Sequence, residues 1–573
     1  MTRIIISTML LSANRLWLLL LLAIGSQALA IEEATTTVTL SPGADARVLR
    51  AEITLPAPAT GFEFEFENMH QRFDRWTPAG AGWSFDGQHV KRQDGAAFSQ
   101  FELRLAPDAR FYDRHYVALE RVGSNGWTVF TGALRAASGK TTLRLANFPD
   151  GYLVRPGSMP QSVSSAAALD ITDSDRQLFY VGPLAALAEG KVNVIAGEEI
   201  PRWLREQLST QVGSAIAVLS SRFGATLPTA PTILVTWSAQ WPHKDYKASV
   251  LDDGVIAFSL RGMNLSLQDT ELADQLTNTS IHEVIHLWNG GLWKNAANVQ
   301  QPWLDEGSAE YLASRLWQDS ESLRAETEQR LKACMLRSDR RPLDGSQGSV
   351  RGAIPYDCGF VIQLAAEAAV LKAHQGDGFD LWRAVFRNAT NHRYSPAGFL
   401  AEAERRGPGF GKVARLLLAG SEKPDISALE TGLQTLGIKV HSRPADAREG
   451  DRFRTQGLMM VLSSLCIGNF GFSTQTDRLV LDTGDRCSMA INGNPEVVSV
   501  NGYSLMSDPA AAYSELRTAC GNNAELVFAK PDGSRLQPVR CHVELEAVPM
   551  VFDVLALPNL PVPAASPAKM GKL

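Results

Sequence analysis

Alternating apolar and polar residues dominate the first third of the chain. Stretches such as TTTVTL, FEFEFE and TTLRLANF place apolar side chains at every second position, with Gly, Pro, Asp or Asn between the stretches. A spacing of two is that of a β-strand with one buried face. The pattern predicts an N-terminal β-sandwich-like domain over residues 31–195.

The spacing of apolar residues changes to a helical repeat near Gly197, and mostly helical spacing continues to about Leu436. These segments form a second predicted domain, residues 196–440. Its first predicted elements are, in order, a helix at 201–224, strands at 231–237 and 254–260, and helices at 269–289 and 302–317.

Short strands and turns return after residue 440. The segments RLVLDTGDR, VVSVNGYSL and AELVFAK, separated by Gly, Asn and Asp, predict a third, β-rich domain over residues 445–548. The last residues, 549–573, are rich in Pro and Ala and are predicted to be a disordered tail.

The N-terminus has the pattern of an export signal. Arg3 and Arg15 precede the apolar run Leu16–Gly25, and the sequence ALA, which ends at Ala30, forms a small-x-small cleavage site. Residues 1–30 are therefore predicted to be a signal peptide of a periplasmic or secreted protein. An uncleaved anchor is the alternative, but the run is shorter than the ~20 residues that a span needs. After cleavage no stable membrane span is expected.

Composition changes this picture in two respects. The formal net charge is −6 and there is no run of Lys or Arg, which argues against a nucleic acid partner. The six cysteines are an even number in a chain predicted to be exported, and this favours disulfides. Pairing of nearest neighbours predicts the bonds Cys334–Cys358, Cys466–Cys487 and Cys520–Cys541.

Candidate chemistry is concentrated in the stretch IHEVIHLWNGG, residues 281–291. On a helix, positions i and i+4 share a face, so His282 and His286 can bind one ion and Glu283 can reach a water beside it. This HExxH arrangement is typical of zinc hydrolases that use the glutamate as a general base. Three histidines of the first predicted domain have no such neighbours and are predicted to have no site role: His70, His89 and His115.

A catalytic zinc needs a third protein ligand and an open position. The next predicted helix, PWLDEGSAEYLASRLW, offers Glu306, which a helix pair can bring beside the two histidines. Asp305 competes with it, because neighbours on a helix point about 100° apart and only one can face the ion. Glu310 lies one turn beyond Glu306. It is predicted to contact a ligand imidazole at the nitrogen that does not bind zinc and so to fix its tautomer.

The motifs HEVIHLWN and WLDEGSAEYL resemble those of the gluzincin metallopeptidases, and most closely those of the PDZ-containing glycyl aminopeptidases. Aminopeptidase N and thermolysin are more distant likenesses. The resemblance implies a thermolysin-like α/β plus helical catalytic domain. It implies His282, His286 and Glu306 as Zn²⁺ ligands and Glu283 as catalytic base, and it favours Glu306 over Asp305.

Two further segments carry the resemblance. AIPYDCGFVIQL is similar to the family's tyrosine-containing segment, which implies that Tyr356 donates a hydrogen bond to the oxyanion of the tetrahedral intermediate. Residues 445–548 resemble a PDZ domain, a fold that binds an extended peptide along a sheet edge. The aminopeptidase N glutamate that holds the substrate's amine has no counterpart in VLDDGVIAFSLRG, unless Asp252 or Asp253 replaces it.

The sequence favours a zinc-dependent peptidase that acts on peptides or proteins, and it leaves endo- and exopeptidase action open. The alternative from another class is a peptide-binding scaffold with a non-catalytic zinc centre and a PDZ-like domain. Glu283 argues against that alternative, because a structural site has no use for a base. Hydrolysis of a non-peptide substrate is a third possibility.

Overall fold

The computed structural model contains two compact units, and each is described by itself. The first comprises Met1–Leu119, Val129–Gly151 and Ser162–Arg176, and the second comprises Glu120–Thr128, Tyr152–Gln161 and Gln177–Leu573. The boundary predicted at residue 195 therefore falls inside the second unit.

The structure describes residues 35–45, 47–108, 116–148, 151–155, 160–163, 168–171, 177–183, 187–188, 192–239, 245–251, 254–265, 270–296, 301–337, 341–348, 350, 352–420, 425–467, 470–483, 487–545 and 550–561. The predicted signal peptide, His115, Asp252 and Asp253 lie outside the described residues.

The first unit is built on a six-stranded sheet in which buried and exposed side chains alternate. In the strand Leu49–Ala59, for example, Leu49, Ala51 and Ile53 are buried and the side chains between them are not. This alternation gives each strand one apolar face for the core. In spatial order the strands are Ala168–Ile171, Lys140–Leu145, Thr35–Pro42, Leu49–Ala59, Phe98–Leu105 and Trp76–Pro78. The unit also contains helix α1 (Met69–Arg75) and a small sheet of Phe62–Glu63, His89–Arg92 and Trp83–Phe85.

The second unit contains most residues of one five-stranded sheet and all of another. The strands of the first are, in spatial order, Gln161–Ser162, Gly151–Val154, Leu178–Pro183, Gly126–Phe130 and Leu119–Val122. Those of the second are Leu187–Ala188, Asn193–Ala196, Thr232–Ser238, Val255–Arg261 and Asp245–Leu251, and its three middle strands are parallel. The second sheet contains the two strands that the sequence predicts near residues 231–237 and 254–260.

Two helices share one apolar core with this parallel sheet: α2 (Arg202–Phe223) and α3 (Thr270–His286). Strand residues such as Ile233 and Phe258 are fully buried there because both lie on the face of the sheet that the helices cover. Helix α2 ends at Gly224, whose φ of 70° is readily adopted only by glycine. The sheet thereby sets the position of α3, which carries the HExxH motif.

A largely helical region follows. Its helices are α4 (Pro302–Trp317), α5 (Ser320–Met335), α6 (Ile354–Lys372), α7 (Gly378–Arg387), α8 (Pro396–Arg406), α9 (Phe410–Leu418) and α10 (Ile426–Thr435). Among the described helices, α6 alone has the length and mean hydropathy to cross a membrane, but 83% of its most apolar 18-residue stretch is buried inside the protein. The central position of α6 in the helical region explains its apolar composition.

The β-rich segment that follows is an insertion between two paired strands. Lys439–Pro444 pairs antiparallel with Met550–Ala556, and the chain between them forms α11 (Gly450–Leu465), α12 (Pro509–Gly521) and three small sheets. Their strands are Gly471–Thr474, Leu479–Asp482 and Glu496–Val497; Tyr503–Ser504, Ser499–Val500 and Phe528–Ala529; and Glu525–Leu526 and Val539–Arg540. The disorder predicted for residues 549–573 is therefore wrong for Met550–Ala556, because these residues complete a sheet and bury Val551 and Phe552.

The three disulfides confirm the pairing of neighbouring cysteines. Cys334–Cys358 joins α5 to α6 in the helical region, whereas Cys466–Cys487 and Cys520–Cys541 lie in the inserted segment. Each bond closes a short loop of the chain, so neighbours in sequence are also neighbours in space.

Candidate metal centre

Helix α3 presents the two histidines of the HExxH motif on one side and apolar residues on the other. Ile281, Val284 and Ile285 are fully buried in the core, and this fixes the rotation of the helix. His282 and His286, four residues apart, then point the same way, with Nε2 atoms 3.1 Å apart. Two imidazole lone pairs at this distance repel each other unless a cation or a proton lies between them.

Glu306 supplies a third potential ligand atom. It lies in the first turns of α4, which begins at Pro302. One carboxylate oxygen, Oε2, lies 3.3 Å from His282 Nε2 and 3.1 Å from His286 Nε2. The ligand atoms of a tetrahedral zinc ion, each 2.0–2.1 Å from the metal, are ~3.3 Å from one another. Within the residues that the structure describes, His282, His286 and Glu306 are the only such group of potential ligands, and their spacing fits zinc.

The negative charge of Glu306 favours a cation at these atoms, either a proton or a metal ion. Burial alone would lower the pKa of His286, but the hydrogen bond and negative charge of Glu306 outweigh it and raise the pKa to about 9. Burial also works against ionisation of Glu306, yet hydrogen bonds with the two histidines hold its pKa well below the usual range. The carboxylate of Glu306 is therefore ionised and available to a cation.

Glu283 lies beside this group in a buried position, with 7% of its surface exposed. Burial raises the pKa of its carboxyl group above the ordinary 4.5, and the two histidines only partly offset that effect. A carboxylate with a raised pKa can accept a proton and return it near neutral pH.

Glu310 lies next to the Nδ1 side of the His282 ring. Its Oε1 is 3.6 Å from His282 Nδ1, too long for a direct hydrogen bond but within ion-pair range. Arg330 of α5 holds the same carboxylate at 2.8 Å and also contacts Asp357, the neighbour of Tyr356, at 3.1 Å. The Arg330 guanidinium thus links Glu310, which lies beside His282, to Asp357 in the first turn of α6.

Asn289 supports the other histidine, a role that sequence reasoning does not assign to it. Its Oδ1 lies 2.9 Å from His286 Nδ1, and its amide nitrogen donates to the backbone oxygen of Asp305 and to Ser308 Oγ. Since those donations orient the amide, Oδ1 must accept from Nδ1–H, which leaves the Nε2 lone pair of His286 free for a metal. The only sequence signal is the asparagine three residues after His286.

Asp305 points away from the metal ligands. Its carboxylate accepts hydrogen bonds from the Tyr394 hydroxyl at 2.6 Å and from Asn295 Nδ2 at 3.0 Å. Of these two adjacent residues, only Glu306 faces the two histidines, because neighbouring side chains leave α4 in different directions.

Tyr356 lies in the first turn of α6, beside the group formed by His282, His286 and Glu306. Its ring is nearly parallel to the His282 ring, at 7° and 6.4 Å between centroids. Burial, followed by the nearby charge of Glu306, raises the pKa of the phenol, so the group remains a hydrogen-bond donor at neutral pH.

The histidines of the first unit that the structure describes lie outside this centre. His89 is half-buried, and its nearest acidic partners are Asp86 at 3.0 Å and Glu63 at 3.7 Å. His70 is exposed. Neither belongs to a group of three possible ligands within the described residues.

No protein-family model matches the chain, and no curated protein matches it in sequence. Among solved structures, the crystal structure of an aminopeptidase N family protein from Idiomarina loihiensis is similar, with a TM-score of 0.52 and 10% identity over 91% of this chain and 98% of that chain. Native yeast LTA4 hydrolase gives a TM-score of 0.40 and 12% identity over 75% of this chain and 72% of that chain. The first similarity shows the fold: a β-rich N-terminal part, an α/β region and a helical C-terminal part.

Proposed function

We propose that this protein is a zinc-dependent peptidase. The observation that carries the proposal is the convergence of His282, His286 and Glu306 on one point at zinc spacing, with the buried carboxylate of Glu283 beside it. The fold shared with an aminopeptidase N family protein supports the same class of activity.

A zinc ion at this point would act as a Lewis acid toward the scissile carbonyl and the attacking water. Glu283 accepts the proton of that water, which its raised pKa favours, and then passes the proton on to the leaving amine. Tyr356 donates a hydrogen bond from its phenol to the oxyanion that develops on the scissile carbonyl. Asn289 and Glu310 keep the two imidazoles oriented during these transfers.

We propose peptides or proteins as the substrates. The inserted segment, residues 445–548, is proposed to be a PDZ-like module that binds an extended peptide, since short sheets flank α12 there. Three disulfides among the described residues favour an exported protein.

The test compares the wild type with Glu283→Gln on casein and a mixed peptide library, with zinc content measured for each. The wild type should cleave and lose activity with a chelator, and the variant should retain zinc while kcat falls ~10³-fold. Glu328→Gln is the matched control, because Glu328 pairs with Lys332 on α5 and not with the site. A wild type that holds one zinc per chain and cleaves nothing would contradict the proposal and favour a scaffold. The termini of the products distinguish endo- from exopeptidase action.

A further inference from the structure

Tyr394 is a buried residue that reaches the metal centre from more than one hundred residues further along the chain. Its strand, Arg393–Tyr394, pairs parallel with Lys294–Asn295, so that Tyr394 lies opposite Asn295. Both side chains bind the carboxylate of Asp305. The Tyr394 hydroxyl also lies 2.6 Å from the backbone oxygen of Asn289.

The contact with the Asn289 backbone lies in the turn that follows His286. Helix α3 continues into a single π-helical stretch, Leu287–Leu292, in which Asn289 has non-helical backbone angles (φ −85°, ψ 23°). A wide turn of this kind frees a carbonyl from the regular helical pattern, and the Tyr394 hydroxyl shares its one proton between that carbonyl and the Asp305 carboxylate.

The same turn places the side chain that orients His286. Asn289 Oδ1 accepts from His286 Nδ1, and its amide nitrogen binds the backbone oxygen of Asp305. Tyr394 therefore contacts both ends of the arrangement, the backbone of Asn289 and the side chain of Asp305, without contacting the histidine itself.

We infer that Tyr394 is a positioning residue for the metal ligand His286, acting through Asn289. This inference rests on the proposed function, because it takes the three-residue group to be a zinc site. Loss of the hydroxyl leaves the carbonyl of Asn289 without this donor and releases the turn, so the amide no longer holds the imidazole in the orientation that zinc needs. Loss of such a supporting partner typically weakens metal binding ~10–100-fold.

The test measures the zinc dissociation constant of the full chain by competition with a chromophoric chelator. Tyr394→Phe keeps the ring, which packs against Trp382 and Phe386, and removes only the hydroxyl. Tyr311→Phe is the matched control: Tyr311 is equally buried and also donates to one carboxylate, that of Glu367, but it does not contact the metal group. Zinc binding should weaken ~10–100-fold in Tyr394→Phe and stay within about twofold of the wild type in Tyr311→Phe.

A double-mutant cycle with Asn289→Ala tests the route of the effect. Once the amide is gone, Tyr394→Phe should change zinc affinity little further. Unchanged affinity in Tyr394→Phe, an equal loss in Tyr311→Phe, or additive effects in the cycle would each overturn the inference. The measurement needs no substrate, so a wild type that binds zinc but cleaves nothing contradicts only the peptidase proposal. A wild type that binds no zinc contradicts both.

Discussion

At the scale of single residues, each imidazole of the candidate metal centre has a different kind of group beside its far nitrogen. His282 has the carboxylate of Glu310, which Arg330 anchors, and His286 has the neutral amide of Asn289. The helical spacing from Glu306 is enough to predict the position of Glu310. The role of Asn289 could not be predicted in this way, because it depends on a π-helical turn and on acceptors from another helix.

Tyr356 provides the first prediction. If its phenol stabilises an oxyanion, Tyr356→Phe should lower kcat ~10²-fold, the usual effect of removing one such donor, with little change in KM. Steady-state kinetics on a cleaved peptide measure both values.

Zinc content and unfolding temperature should stay at wild-type values in this variant, since the ring against His282 is retained. A kcat equal to that of the wild type would exclude Tyr356 from the chemistry. Loss of zinc would indicate a structural role instead.

At the scale of elements, the close crossing of α4 and α6 positions Tyr356 against Glu306. The two helices meet at Gly307 and Gly359, where a Cβ added to Gly359 would lie 2.2 Å from the backbone oxygen of Trp303. Glu306 directly precedes one of these glycines, and Tyr356 lies one turn before the other. The glycine in the segment YDCG therefore has a physical reason: only a residue without a side chain permits this approach.

Gly359→Ala should consequently force α6 away from α4. We expect a loss of ~1–3 kcal/mol in the free energy of unfolding, as is typical of overpacking, together with a fall in kcat. Urea unfolding and steady-state kinetics on the same preparation measure the two effects.

Gly521→Ala is the control, because it is also a helical glycine but an added Cβ there meets nothing within 4 Å. Its stability should match or slightly exceed that of the wild type. If Gly359→Ala were as stable and as active as this control, the close crossing would have no role in placing Tyr356.

At the scale of the second unit, a network of charges lies where the inserted segment begins and ends. Arg443 and Lys332 each bind both Glu449 and Asp553, and these residues belong to the paired strands, to the turn before α11 and to α5. The insertion is thus tied at its base to the helix that carries Arg330.

This network predicts an acid-sensitive contribution to stability. Burial would raise the pKa of Glu449, but the hydrogen bond from Arg443 outweighs it, and the pKa of Asp553 is lowered chiefly by Arg443; both lie below their ordinary values of 4.5 and 3.8. The unfolded chain therefore binds more protons as pH falls below about 4.5. The contribution should be complete above that pH and lost as pH falls further.

Urea unfolding of the wild type and Glu449→Gln between pH 7 and pH 3.5 measures this effect. The variant should be less stable at pH 7 and should converge toward the wild type in acid. The control Glu525→Gln removes an exposed pair with Arg540 and should shift stability little at any pH. A gap between wild type and Glu449→Gln that stayed constant with pH would contradict the assignment.

Metal removal should affect the stability of the same unit, because the three ligands join α3 to α4. Free zinc at one hundred times its dissociation constant stabilises a folded protein by ~2.7 kcal/mol. Calorimetry of the wild type should therefore show a lower Tm after chelation, and Glu306→Gln should show a much smaller change. A wild-type Tm that did not respond to chelator would count against a zinc site.

Features that depend on neighbours along the chain can be predicted from the sequence. The alternation of the first strands, the helix at 302–317 and the shared face of His282 and His286 all follow from spacings of two to four residues. Nearest-neighbour disulfides belong to the same class. In each case the interacting groups are close in sequence, so local geometry alone brings them together.

Contacts between distant groups become visible only in the folded protein. The contact of Tyr394 with Asn289 spans 105 residues. The strand Met550–Ala556, for which the sequence predicts disorder, pairs with a strand more than one hundred residues earlier. The physical reason is that such contacts depend on how helices and sheets pack as whole bodies. That packing is a property of the complete core, and no spacing within one segment contains it.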